Sequence, residues 1–124
     1  VANCHCEPCR RITGHFMAAT ATTVDSLHLD ADQTLCWYQS TPTVQYGFCG
    51  ECGSTLFWRA SDKPQHVSIA AGTLDPPTGL ETTIAIHAAE AADYHSLDTR
   101  VDTYPGDRPW PSGDNPGPGS EAGR

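Results

Sequence analysis

The sequence predicts a mainly β domain, an antiparallel sandwich or barrel-like pair of sheets. Three observations carry that prediction: short segments rich in β-branched and aromatic residues, turn-formers at regular intervals between them, and side chains that alternate with a period of two. In chain order, 15–23 (HFMAATATT) opens the series with Met17 and a run of threonines. Segment 26–30 (SLHLD) alternates Leu27 and Leu29 with polar residues, and 34–40 (TLCWYQS) alternates Leu35 and Trp37. Segment 43–49 (TVQYGFC) puts Val44, Tyr46 and Phe48 on one face, and 55–60 (TLFWRA) is aromatic at its centre. Segment 66–71 (HVSIAA) aligns Val67, Ile69 and Ala71, and 82–88 (TTIAIHA) aligns Ile84 and Ile86. DADQ, STP, CGECG, ASDKP and LDPPTG supply the turns. One short helical turn is expected at 88–93 (AAEAAD).

A chain of 124 residues suits one domain with a modest core. That domain is expected over 1–103. From Tyr104 onward (YPGDRPWPSGDNPGPGSEAGR) proline and glycine dominate, so 104–124 is expected to be a disordered tail with Trp110 solvated in it. The chain opens at Val1, straight into a cysteine cluster, and is expected to be processed or truncated. A net charge of -8 opposes binding to a nucleic-acid backbone, which depends on clustered Lys and Arg. No apolar run approaches the roughly 18 residues that span a bilayer, and no leader-like segment opens the chain, so no membrane partner is expected.

Six cysteines fall below the roughly 8–10% of a small disulfide scaffold, and Cys4, Cys6 and Cys9 lie too close together for ordinary bridges. Thiols held as metal ligands in a reducing cytoplasm fit better. Sulfurs sharing a tetrahedral zinc lie about 3.8 Å apart. Residues two apart on a regular strand lie about 6.6 Å apart, so CHC must sit on a kinked segment, and Glu7-Pro8 is expected to bend it. Three thiolates from one loop leave a fourth position open to water, substrate or a distant closing ligand, which leaves catalytic and structural zinc both in play.

Cys49 and Cys52, in FCGECGSTLFW, have the spacing of a zinc knuckle. A thioredoxin-type dithiol would need a helix after its first cysteine, and here a strand-like TLFW follows. Cys36, alone in TLCWYQS, is expected to be a buried inert thiol. His5 is expected beside the ligands or exposed; the remaining histidines carry no ligand spacing.

CHCEPCRRITG, FCGECGSTLFW and VSIAAGTLD, in this order, resemble the glutathione-dependent formaldehyde-activating enzyme family, which also includes centromere protein V; the likeness runs from Asn3 to Asp98. The resemblance implies tent-like packed sheets with two zinc sites, a catalytic one on Cys4, Cys6 and Cys9 and a structural one of which Cys49 and Cys52 are half. The family's N-terminal Cys-x-Cys-Gly motif and first strand have no counterpart here, and Ala85-Ile86 and Tyr94 stand where the family often has His-Ile and Trp. The implied reaction joins formaldehyde to glutathione, or splits the adduct, as a carbon-sulfur lyase does. Arg10 and Arg11 are candidates to hold carboxylates of glutathione or a similar small thiol. The alternative is a non-catalytic zinc-binding module of the centromere protein V type.

Overall fold

The computed structural model describes residues 1–109. Its elements run β1 (Ala2–Cys4), α1 (Glu7–Thr13), β2 (Met17–Thr23), β3 (Leu35–Gln39), β4 (Val44–Cys49), β5 (Thr55–Ala60), β6 (His66–Ala70), β7 (Ile84–Ile86) and β8 (Asp102–Thr103). Single 3₁₀ turns lie at Val24–Ser26, Ala71–Thr73 and Ala88–Glu90. The fold is mainly β, as its alternating segments require. Hydrogen bonding joins the strands into one mixed sheet in the order β3-β4-β5-β6-β2-β1-β7-β8. Pairing is antiparallel except between β1 and β7 and between β7 and β8.

This one sheet has the two-sided character of a sandwich because it curls. Four strand spacings separate β4 from β1, about 19 Å if the sheet were flat. Yet Tyr46 on β4 and Cys9, five residues past β1, touch in a common core with Met17, Trp58 and Ile86. The pairing between β5 and β6 is short, Phe57 with Ile69 and Trp58 with Ser68. Register lines up Tyr46, Trp58 and Ser68 on the enclosed face and Trp37, Gly47, Phe57 and Ile69 on the opposite face.

Several expectations are corrected. Residues 26–30 form no strand: Leu27 and Leu29 alternate but meet no ladder partner, and Leu29 is 45% exposed. Glu7-Pro8 is the first turn of α1 rather than a bend in a loop. The expected helical turn at 88–93 is the 3₁₀ turn Ala88–Glu90. The described residues run on to 109, past the boundary expected at 103. Tyr104 packs on the core and donates its N–H to Ala85 O at 2.9 Å, its carbonyl accepts from Ala88 N, and Gly106 O accepts from His87 N. A proline- and glycine-rich composition averages over the segment and hides one anchoring tyrosine. Trp110 and the rest of the expected tail lie outside the described residues. Among the described residues no helix is long and apolar enough to cross a membrane.

Candidate metal centre

β1 ends at Cys4, which pairs with Met17 on β2 and Ile86 on β7, and His5 N–H continues the ladder to Ile86 O at 3.0 Å. The chain then turns into α1. Cys6 is the N-cap in an extended conformation, and its carbonyl accepts the first helical hydrogen bond, from Arg10 N at 2.9 Å. Pro8 stands in the first turn, where its missing N–H has no helical partner to lose. Cys9 follows one residue later, and Thr13 Oγ1 bonds its carbonyl at 2.7 Å. Gly14 closes the helix at φ 87°, a left-handed conformation that side chains disfavour.

A strand end, an N-cap and a first helical turn thus bring three sulfurs together. The Sγ atoms of Cys4, Cys6 and Cys9 all lie within 4.8 Å of one another, and all three residues are buried. The kink that the CHC spacing demanded is this strand-to-helix junction.

Crowding sets the electrostatics. Hydrogen bonding to Cys4 and Cys9, then burial, pushes the Cys6 thiol far up. Its hydrogen bond with Cys4 and its burial push Cys9 up to about 12. Burial, then the charge of Cys9, raises the phenol of Tyr46, whose Oη lies 3.0 Å from Cys9 Sγ. Three sulfurs in one dry pocket cannot all ionise against their mutual repulsion unless a cation joins them. That donor set, soft, buried and converging, fits a thiophilic divalent ion such as zinc, held by Cys4, Cys6 and Cys9.

One neighbour escaped the sequence reading, and the structure defines the environment of another, His5. Tyr46 lies 37 residues from Cys9, a distance no local motif spans. His5 is 2% exposed and packs its ring on Phe16 at 4.9 Å and His95 at 5.5 Å. His15 meets His95 at 4.5 Å and stacks on Tyr94, whose hydroxyl donates to Gly14 O at 3.1 Å. Burial, then His95, lowers the pKa of His5, so the neutral imidazole is favoured. Histidines without ligand spacing along the chain form one aromatic cluster beside the cysteines.

The arginines divide. Arg11 is exposed and pairs its Nε with Glu7 Oε1 at 3.0 Å, an i,i+4 surface pair. Arg10 is half-buried, and its Nε makes no hydrogen bond among the described residues. A cleft of about 380 Å³ beside the cluster is lined by Glu7, Pro8, Arg11, Ile12, Tyr38 and Tyr46, so Tyr46 links the cleft to Cys9. Cys4 faces a smaller cleft of about 130 Å³, with Ser68 and Arg108 also on its walls.

Cys49 and Cys52 lie at the far end of β4 in a tight turn, where Gly53 N bonds Cys49 O at 2.8 Å and Gly53 adopts φ 79°. The Cys52 backbone N–H, then Thr34 and the Glu51 N–H, hold the Cys49 thiol down at about 7. This is knuckle geometry, yet among the described residues no third ligand joins the pair. Cys36 is exposed rather than buried, on the edge strand β3.

Comparison with known proteins places both cysteine groups in one matched region. A search of curated proteins returned no match. The family model described as glutathione-dependent formaldehyde-activating enzyme matches residues 1–90, and the chain belongs to that family.

Proposed function

We propose that this chain joins formaldehyde to a low-molecular-weight thiol, or splits the adduct, with glutathione as the first thiol to test. The observation that carries the reading is the convergence of the buried Cys4, Cys6 and Cys9 sulfurs beside a cleft, in a family of formaldehyde-activating enzymes. In the forward direction a carbon-sulfur bond forms as the carbonyl π bond opens, and the thiol proton ends on the new hydroxyl. The reverse step is a carbon-sulfur lyase reaction. Neither direction needs an oxidant or reductant.

Cys4, Cys6 and Cys9 would hold the zinc, which would supply Lewis acidity there. The chain's own residues do the rest. Tyr46 donates its hydroxyl proton to the Cys9 sulfur once that sulfur is a thiolate, which fixes the orientation of one ligand. The neutral His5 ring is buried against Phe16 and His95, between Cys4 and Cys6 in sequence. Arg10 and Arg11, on the helix that carries Cys9, are assigned to the carboxylates of the thiol substrate, and Arg11 must share its guanidinium with Glu7. Cys49 and Cys52 are assigned to half of a structural metal site. Six unbridged thiols support a reducing compartment, the cytoplasm.

Exchange NMR on formaldehyde and glutathione with the zinc-loaded chain tests the reading. A rate above the uncatalysed one, lost in Cys6→Ser, is expected. A rate equal to the uncatalysed one with glutathione and with other cellular thiols would favour the non-catalytic zinc module of the centromere protein V type.

A further inference from the structure

A cavity of about 520 Å³ lies on the opposite face of the sheet from Cys4, Cys6 and Cys9. Two parallel rows of side chains build its wall. The first is aromatic: Trp37 and Phe57 flank Gly47 across three strands, with ring centroids 6.2 Å apart and planes 24° from parallel. Gly47 lets them approach, since a Cβ there would sit 3.1 Å from two Trp37 ring carbons and 3.2 Å from Phe57 Cβ. The second row is polar: Gln39, Gln45 and Arg59, each one pairing step from the next. Val24, Leu27, Leu29 and Val67 belong to the apolar lining, and Lys63 and His66 also stand on the wall.

Arg59, with Lys63 also on the wall, gives the cavity a positive sign. Its guanidinium carbon lies 3.5 Å from the Trp37 ring centroid, and its Nε donates to Gln45 Oε1 at 2.8 Å. Stacking and a hydrogen bond hold the planar group in place with its remaining N–H donors uncommitted to either contact. The chain has 7 Lys and Arg against 15 Asp and Glu. Arg11, Arg100 and Arg108 each stand within ion-pairing distance of a neighbouring carboxylate. Among the described residues Arg59 has no carboxylate partner, and no Asp or Glu lines the cavity. A fixed cation over an aromatic platform, in an otherwise acidic chain, selects an anion with a flat apolar body.

We infer that this cavity is a second ligand site, separate from the cysteine centre, and that it takes a small planar apolar carboxylate. Arg59 holds the carboxylate, while Trp37, Phe57 and the leucines of 27–29 enclose the body. The volume falls within the usual range for small-molecule pockets, about 300–1,000 Å³. Val24 and Leu29, 48% and 45% exposed, stand on its wall, so a bound apolar body would remove them from water.

Naphthoate and its neutral amide, naphthamide, serve as probes on the full zinc-loaded chain, followed by a proton–nitrogen correlation spectrum with the Trp37 indole signal assigned by Trp37→Phe. Naphthoate should shift the Trp37 signal and bind at least about 10-fold more tightly than the amide, as a charge-assisted hydrogen bond predicts. Arg59→Gln should bring the two ligands within about twofold of each other, and Arg59→Lys should keep part of the preference, both with unchanged zinc content. Equal affinity for acid and amide in the parent chain would overturn the inference. So would absence of binding at millimolar ligand, shifts centred on Tyr46 instead, or a dimer that covers this face.

Discussion

Cys9 Sγ and Tyr46 Oη lie 3.0 Å apart, both fully enclosed, one in the first turn of α1 and the other in the middle of β4. An ionised Cys9 has no proton to give, so in any metal-loaded state the phenol is the donor. Tyr46→Phe removes that donor and keeps the ring that fills the core. Its metal affinity should fall by roughly 10-fold, the lower end of what partners of metal ligands contribute. Chelator competition would show it, and an unchanged affinity would mean that the three sulfurs orient themselves.

The helix that carries Cys9 has an external partner at its start. Glu90 Oε1 accepts the Glu7 N–H at 3.1 Å, joining residues 83 apart in sequence. Glu90→Ala leaves that N–H to solvent and should lower stability by about 1 kcal/mol, the usual scale for a lost helix cap. Glu90→Gln keeps a carbonyl acceptor and should keep most of the stability that Glu90→Ala loses. Urea unfolding of both variants checks the ranking.

What the sequence revealed of this site was local. Cys4, Cys6 and Cys9 were legible as a candidate ligand group because six residues of chain can hold three sulfurs together only around a kink. The kink's nature was not legible: α1 has seven residues, too few for a helical period to emerge, and Pro8 in its first turn reads equally as a bend. The alternation of Val44 and Tyr46 announced which way Tyr46 points. Its contact with Cys9 depends on the curl of the sheet, which no residue pattern encodes. Alternation also continued to Phe48, but a register shift between Gly47 and Phe48 breaks the face there. Cys36 misled for the opposite reason: a strand pattern gives its element, and only the strand order shows that it is an edge.

Gly47 is the point where the aromatic wall of the outer face is built. Gly47→Ala would put a methyl within 3.1 Å of the Trp37 ring and 3.2 Å of Phe57 Cβ, contacts too close to keep. Overpacking of this kind costs about 1–3 kcal/mol. The variant should unfold at lower temperature and lower urea, with Trp37 more accessible to a fluorescence quencher. Zinc content should not change, because Cys4, Cys6 and Cys9 face the other side of the sheet. A loss of zinc in parallel with stability would show that the two faces are coupled more tightly than register suggests.

Burial separates the six thiols into two groups that chemistry can count. Cys4, Cys6 and Cys9 are buried, whereas Cys36 and Cys52 are exposed and Cys49 is half-buried. Iodoacetamide on the native chain should therefore label three cysteines quickly and three slowly, as read by mass spectrometry. Cys49 should react fastest near neutrality: its thiol is held at about 7, so it is protonated and slow below that pH and a thiolate above it. Zinc should sharpen the contrast. The buried trio supplies three ligands, but the 49–52 turn supplies two, and a structural zinc normally has four protein ligands. The chain 1–124 should then bind one zinc tightly, protecting Cys4, Cys6 and Cys9, and a second only weakly, leaving Cys49 and Cys52 open to alkylation. Two tight zincs on a monomer would require Cys36 and a histidine to complete the second site, or a different division of the cysteines between the two.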